Sequence, residues 1–135
     1  MKGFFMKKSV GANTLKVGSY LIIDDAACRV VSIQVSRPGK HGHAKMRIEG
    51  IGLIDEKKRV TVMPGHDSVE VPIIEKKNAQ VLTVSGDRAN VMDSETYETF
   101  DLKVPAELKG ECREGVTVLY WQVLNDCLMK QVKQA

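Results

Sequence analysis

Cysteine is scarce in this sequence, which contains three cysteines among 135 residues. Cys28, Cys112 and Cys127 are far apart, and no two of them form a C-x-x-C pair. A disulfide framework needs paired cysteines and a zinc knuckle needs closely spaced ones, so the pattern argues against both. We therefore expect a protein of the reducing cytoplasm.

Long apolar runs are also missing. Phe4, Phe5 and Met6 have lysines on both sides, so the first residues lack the apolar core of a signal peptide. No later stretch approaches the roughly 20 apolar residues of a membrane span. We expect no membrane partner, and the composition, 43% hydrophobic and 27% charged, is that of an ordinary globular protein.

Acidic residues are absent between Ala26 and Ile48. That span contains five basic residues, Arg29, Arg37, Lys40, Lys45 and Arg47. Residues 1–70 contain twelve Lys and Arg against seven Asp and Glu, a charge of +5, whereas residues 71–135 have a charge of −2. The local excess favours contact with a polyanion, although a solvated basic face without a partner has the same pattern.

The apolar residues that are present occur in short runs or alternate with polar ones, and Val, Ile and Thr dominate them. This pattern predicts an all-β protein. The best helical segment is one or two turns at "VPAELKG", with Pro105 at the first position and Gly110 after the end. Pro72 cannot donate to a sheet, and with the change of charge sign it places a domain junction at Val71 and Pro72.

Two small barrels fit this division. Residues 1–71 supply five or six short strands without a helix, which is typical of an SH3-like barrel. Residues 72–135 supply strands near Ala79, Arg88, Thr96 and Val116, with the helix before the last of these, which is the layout of an OB-fold. The pattern leaves the first strand of this second domain open.

A polar loop connects the strand that ends at Ser36 to the strand that begins near Ala44. Its turn residues are Pro38, Gly39 and Gly42, and none of its side chains is apolar. The side chain of Lys40 therefore has no core to enter, and we expect it to project into solvent.

Three kinds of chemical site are alternatives for this loop. A phosphate-binding P-loop is excluded, because a single glycine precedes Lys40 and a strand follows. A metal site on His41 and His43, with distant His66, lacks a nearby carboxylate and is surrounded by cations. A Schiff-base lysine needs a desolvated pocket, which an exposed tip does not offer. What remains from the residues alone is a basic loop that contacts phosphate.

The motif "GKHGHAK", followed by "RIEGIGLI", resembles the signature of the translation initiation factor 5A family, in its archaeal form, which is related to bacterial elongation factor P. "VPIIEKKNAQVL" and "LKVPAELKG" extend the resemblance over nearly the whole chain. It implies an N-terminal SH3-like barrel followed by an OB-fold. The residues Arg37 and Pro38 before the glycine depart from the common eukaryotic form.

The resemblance also implies a function. Deoxyhypusine synthase would transfer an aminobutyl group from spermidine to Lys40, giving deoxyhypusine and, after hydroxylation, hypusine. This arm would contact the acceptor end of peptidyl-tRNA in the ribosome and promote peptide bond formation, for instance at consecutive prolines. The chain would be a monomeric translation factor without a cofactor and not an enzyme, and residues that would contact RNA are Arg37, Lys40, His41, His43, Lys45 and Arg47.

An alternative from another class stays open. The same barrels and basic loop would serve an unmodified general RNA-binding or ribosomal-type protein, in which Lys40 matters no more than Lys45 or Arg47. In both cases small Gly39 and Gly42 give the loop a deformable backbone.

Four aromatic residues of the second domain, Tyr97, Phe100, Tyr120 and Trp121, are candidates for stacking on bases. Adjacent Tyr120 and Trp121 must lie on opposite faces of a strand, so we expect one of them in the core. We also expect Cys28 in the core and residues 63–67 to form a connecting turn.

Overall fold

A computed structural model of the chain describes residues 7–37 and 44–133. Strands dominate this part of the chain, and its helical elements are short 3-10 turns, so the prediction of an all-β protein is confirmed. Contacts divide the chain into two compact units, the first ending at Ile73 and the second beginning at Ile74. In the described residues, no helix has the length and apolar character needed to span a membrane.

The first unit contains six strands: β1 (Lys7–Gly11), β2 (Tyr20–Ile23), β3 (Ala26–Ser36), β4 (Lys45–Gly52), β5 (Lys58–Pro64) and β6 (Ser68–Pro72). Strands β2, β3, β4 and β5 form an antiparallel sheet in that order, and β1 pairs with β6. A 3-10 turn at Ala12–Thr14 follows β1, and the Ala12 N–H donates to the Asp67 carbonyl at 2.8 Å.

Alternation along β4 shows why these strands form. Met46 and Ile48 are buried, whereas Lys45 and Arg47 between them are exposed, so one face of the strand packs on the core and the other faces water. The core of this unit contains Ala12, Leu15, Leu21, Ile23, Cys28, Val30, Met46, Ile48, Val69 and Val71.

The second unit contains five strands: β7 (Ile74–Ser85), β8 (Arg88–Asp93), β9 (Thr99–Lys103), β10 (Thr117–Val123) and β11 (Asp126–Lys133). Their order in the antiparallel sheet is β11-β10-β7-β8-β9. A 3-10 turn at Ala106–Leu108 lies between the third and fourth strands, as the OB-fold layout requires. The predicted fold class, an SH3-like barrel followed by an OB-fold, is confirmed.

In the second unit, the observed elements differ from the predicted ones in three places. The strand predicted near Thr96 begins at Thr99, because the Asp93 carboxylate accepts the backbone N–H groups of Glu95 and Thr96 and holds them in a turn. The helix is a single 3-10 turn, with Pro105 just before its first residue. The strand that the sequence pattern failed to locate is the last one, β11, rather than the first.

The junction region also differs from the prediction. Strand β6 ends at Pro72 and β7 begins at Ile74. Pro72 pairs with Lys7 and so belongs to the first unit, and the division between the units lies two residues beyond the predicted Val71–Pro72 junction. Pro72 is tolerated there because β6, which pairs with β1 in a two-stranded sheet, is an edge strand.

Candidate nucleic-acid interface at the β3–β4 hairpin

Strands β3 and β4 form the longest paired hairpin of the first unit. Ile33 lies opposite Ile48, Val35 opposite Met46, and Ser36 opposite Lys45, which is the last pair before the loop. Ile48 is completely buried and Met46 is nearly so. The end of the hairpin is therefore attached to the core through its inner face, while its outer face is free to carry charge.

The predicted basic residues fall into two groups. Arg37 and Lys45 are exposed and lie at the same end of the hairpin, one directly after β3 and the other at the start of β4. Arg47 lies two residues further along β4, on its solvent face. Six predicted residues lie outside the described residues: Pro38, Gly39, Lys40, His41, Gly42 and His43.

Arg47 is already engaged in an ion pair. Its Nη1 donates to Glu49 Oε1 at 2.5 Å, and Lys58 Nζ lies 3.3 Å from the other oxygen of the same carboxylate. The hydrogen bond from Arg47, followed by that from Lys58, lowers the pKa of Glu49 below its usual range. The side chains of Arg47, Glu49 and Lys58 together therefore keep one net positive charge. To bind RNA, Arg47 would have to leave Glu49 and bind a phosphate instead.

A groove of about 450 Å³ lies under the hairpin and was not predicted. Apolar side chains form most of its wall, and Val35 keeps 57% of its surface exposed there. Its lining residues are Asn13, Leu15, Ile33, Val35, Arg37, Ala44, Met46, Gly65 and His66. An apolar groove beside a guanidinium can accept the flat face of a base or sugar while the guanidinium binds the adjoining phosphate.

The turn between β5 and β6, residues 65–67, contributes to this groove, whereas residues 63 and 64 of the predicted turn belong to β5. Its Gly65 N–H donates to the Ala44 carbonyl at 2.8 Å, which binds the turn to the start of β4. The turn, predicted as a simple connection, thus lines the groove, which its sequence did not indicate. The groove could have been predicted from the alternation of Ile33, Gln34 and Val35, which indicates that the apolar face of β3 continues beyond the core.

Other candidate residues have structural positions. Cys28 is completely buried, as predicted, and burial raises the pKa of its thiol. Burial likewise raises the pKa of the Cys112 thiol. Among residues 7–37 and 44–133, no three His, Cys, Asp or Glu side chains are grouped so as to hold a metal ion. The histidines of the metal hypothesis other than His66 lie outside this part of the chain.

The aromatic residues of the second unit divide as expected. Tyr120 is buried, and Phe100 packs edge-on against it with 5.1 Å between the ring centroids. Trp121 lies on the opposite face of β10 and is half-buried, with the ammonium groups of Lys76 and Lys130 over its ring. Tyr97 is 70% exposed in the turn between β8 and β9.

Comparison with protein families gives two matches that together cover most of the chain. Residues 7–67 match a family described as translation initiation factor 5A-like, N-terminal. Residues 73–133 match a family described as eukaryotic elongation factor 5A hypusine, DNA-binding OB fold.

Individual relatives agree with these matches. The chain is 49% identical to translation initiation factor 5A of Archaeoglobus fulgidus over 120 residues, which covers 89% of this chain and 94% of the relative. It is 47% identical to the Pyrococcus furiosus protein of the same name, with coverage of 94% and 95%.

A solved structure of a eukaryotic-type translation initiation factor 5A from Methanococcus jannaschii superposes with a TM-score of 0.87 at 41% identity, covering 98% of this chain and 97% of that one. A second, from Naegleria fowleri, gives 0.73 at 28% identity, with coverage of 95% and 99%. The match to both families, the identities and the two-unit fold agree with the resemblance of the loop motif. The chain therefore belongs to the translation initiation factor 5A family.

Proposed function

We propose that this translation factor acts inside the ribosome through a deoxyhypusine or hypusine on Lys40. The arm contacts the acceptor end of peptidyl-tRNA and promotes peptide bond formation where the reactants are poor, as at consecutive prolines. The observation that carries the proposal is the GKHGHAK motif at the end of a hairpin whose last pair, Ser36 and Lys45, is anchored to the core through Met46 and Ile48.

A positioning role suits this geometry. A long cation on a paired hairpin can be carried into a narrow RNA-lined space without unfolding the barrel beneath it. By restricting the motion of the tRNA end, the arm would reduce the entropic cost of reaching the reactive geometry. The ribosome supplies the chemistry, and the factor itself catalyses no reaction.

The remaining basic residues would support the arm. Arg37 and Lys45 are exposed at the same end of the hairpin and would contact RNA phosphates near the arm. Arg47 would join them by leaving Glu49, and His41 and His43 would contact the RNA nearest to Lys40. The groove under the hairpin would take up the flat face of a base or sugar.

The partners follow from this role. They are the ribosomal RNA, peptidyl-tRNA and deoxyhypusine synthase, which uses spermidine as donor. We propose that the factor works as a cytoplasmic monomer, in which the first unit carries the loop and the second unit is the OB-fold domain.

The role of the arm is tested in a reconstituted translation reaction with a reporter that contains a run of prolines. Modified wild-type protein should relieve the stall, and Lys40→Arg should not, because arginine keeps the charge but cannot accept the aminobutyl group. Lys45→Arg is the matched control and should keep most of the activity. Full activity of Lys40→Arg would contradict the proposal.

Mass spectrometry of the protein from its native cells separates this proposal from the unmodified RNA-binding alternative. We expect the peptide that contains Lys40 to carry the added aminobutyl group, with or without a hydroxyl. A completely unmodified peptide would favour the alternative, in which affinity follows summed charge and salt concentration.

A further inference from the structure

The second unit has a basic and aromatic surface on one face of its sheet, far along the chain from the Lys40 loop. We call it the Trp121 platform: Lys76 on β7, Trp121 on β10, and Lys130 and Lys133 on β11. The Nζ atoms of Lys76 and Lys130 lie 5.2 Å and 4.6 Å from the centroid of the Trp121 ring. Strand pairing places Lys76 directly opposite Trp121, so the ring and the cations share a face.

The charge of the platform is of one sign. Residues 76–80, 117–121 and 128–133 contain four lysines and no Asp or Glu, although the second half of the chain is negative as a whole. Lys77, the fourth lysine, pairs with Glu75 at 3.5 Å. Lys133 Nζ donates to Asn78 Oδ1 at 2.8 Å, which keeps it on the sheet surface with its charge not neutralised by that bond.

The face that OB-folds commonly use for oligonucleotides, over their second and third strands, is poorly suited here. In β8 and β9, both fully described, the one aromatic residue is Phe100, and it packs on buried Tyr120. On the outer face Asp101 introduces a carboxylate, which accepts a hydrogen bond from Asn90 Nδ2 at 3.0 Å. The half-buried Trp121 ring and the three lysines of the platform lie on the first, fourth and fifth strands instead.

We propose that the Trp121 platform binds a single-stranded segment of RNA. A base stacks on the indole of Trp121 in exchange for one of the lysines that now cover the ring, and the released ammonium group binds a neighbouring phosphate. Lys133, two strands from Lys76, extends the cationic track along the sheet. RNA is the class of partner because the platform combines a π-face with clustered cations, and because the family is one of translation factors.

The site is independent of the proposed function. It uses no residue of the hairpin and does not require modification of Lys40. Binding at the platform and action of the modified arm can therefore fail separately, and the experiment is designed to tell them apart.

Trp121 is the single tryptophan of the chain, so its fluorescence reports on the platform alone. The whole protein, unmodified, is titrated at low salt with a ten-nucleotide oligoadenylate, whose purines stack well. We expect saturable quenching, and an affinity that falls with salt. Lys76→Gln and Lys130→Gln should each weaken binding severalfold and reduce the slope of log K against log salt by about 0.7.

Matched controls come from the second and third strands of the same sheet, which do not pair with the Trp121 strand. Lys103→Gln and Arg88→Gln remove exposed cations from β9 and β8. Each should leave the affinity measured by quenching within about twofold of wild type, because neither residue would contact an RNA segment stacked on Trp121. Lys40→Ala should quench like wild type, which would separate the platform from the hairpin.

Substitution of Trp121 tests whether a base stacks on its ring. In a Lys40→Ala background, Trp121→Leu should weaken binding of a fluorescently labelled oligoadenylate about fivefold or more, and Trp121→Phe should recover part of the loss because it restores a ring. Circular dichroism checks that both variants are folded. Absence of saturable quenching, unchanged affinity in Lys76→Gln and Lys130→Gln, or equal weakening by Lys103→Gln and Arg88→Gln would overturn the proposal.

Discussion

Asp93 is the one buried charged side chain among the described residues, with 3% of its surface exposed. One of its oxygens accepts backbone N–H groups from Glu95 at 2.8 Å and Thr96 at 2.9 Å, and the other accepts a hydrogen bond from the Tyr120 hydroxyl. A buried carboxylate costs several kcal/mol unless such donors replace its water. Asp93 therefore joins the β8–β9 turn to the core of the second unit.

Removing the tyrosine donor tests this role. Tyr120→Phe keeps the ring but leaves one oxygen of the buried carboxylate without that partner, so we expect the free energy of unfolding to fall by about 2 kcal/mol. Urea denaturation at neutral pH measures the change. Tyr97→Phe is the matched control, because that hydroxyl belongs to a side chain that is 70% exposed, and an equal loss there would contradict the explanation.

The same site predicts an acid-dependent loss of stability. Burial acts to raise the pKa of Asp93, but the hydrogen bonds from Tyr120, Thr96 and Glu95 outweigh it and lower that pKa to about 2. An unfolded aspartate has a pKa of about 3.9. Because the folded pKa is the lower one, the stabilisation is complete above about pH 5 and is lost as the pH falls towards 2, by about 2 kcal/mol.

Asp93→Asn isolates this effect. The variant is less stable at neutral pH, but its free energy of unfolding should change less between pH 4 and pH 2 than that of wild type, because the titrating group is gone. Urea denaturation at several pH values gives both slopes. Identical slopes in the two proteins would mean that other carboxylates carry the acid dependence.

For single residues, the sequence predicts which side chains are buried better than it predicts which side chains bond to each other. Cys28 in the core and Tyr120 and Trp121 on opposite faces follow from alternation along a single strand, and both predictions are confirmed. The bond between Asp93 and Tyr120 joins residues 27 positions apart, and no local pattern encodes it. The ion pair of Arg47 with Glu49 could have been predicted, since residues two apart share a face of a strand.

Among the elements, the β3–β4 hairpin depends on a close approach of its two strands. Gly50 lies in β4 opposite Val30, next to a bulge in β3 between Val30 and Ser32. A β-carbon at Gly50 would lie 2.9 Å from the Cβ of Cys28 and 3.3 Å from Ile23 Cδ1. The glycine thus lets the base of the hairpin pack against buried β2 and β3.

Gly50→Ala should therefore be destabilising by about 1–3 kcal/mol, because the added methyl group meets a Cβ atom that cannot move without its backbone. Thermal unfolding measures the effect. Gly110→Ala places the same methyl group where nothing lies within 4 Å and is the control. Comparable losses in the two variants would show that crowding at Cys28 is not the cause of the loss in Gly50→Ala.

Strand periodicity predicts most of the elements, and its failures have physical reasons. The turn at Glu95 and Thr96 is set by the Asp93 side chain, and "VPAELKG" has only enough length for one 3-10 turn between buried Val104 and Cys112. At the hairpin, local charge and turn residues predict the exposed ends of both strands. The groove requires the turn at Gly65 to fold back onto Ala44, which is a tertiary contact.

On the scale of the whole molecule, the described residues form two separate cores. One contains residues from Ala12 to Val71 and the other residues from Ala79 to Met129, and neither cluster includes a residue of the other unit. The units also differ in charge, which the sequence alone predicts. Each unit is thus stabilised by packing within its own core, so a cavity in one core removes no packing contact from the other core.

A matched pair of leucines tests this separation. Leu21 in the first core and Leu102 in the second are each 1% exposed, and replacement of either by alanine should cost about 2–5 kcal/mol of unfolding free energy in its own unit. Trp121 is the single tryptophan and lies in the second unit, so its fluorescence follows the unfolding of that unit. Leu102→Ala should move the fluorescence transition to a lower urea concentration. Leu21→Ala should leave the fluorescence transition unchanged. It should shift only the part of the circular dichroism transition that comes from the first unit. If Leu21→Ala displaced the fluorescence midpoint as far as Leu102→Ala does, the two units would unfold as one cooperative body, and the separation of their cores would not determine how the molecule unfolds.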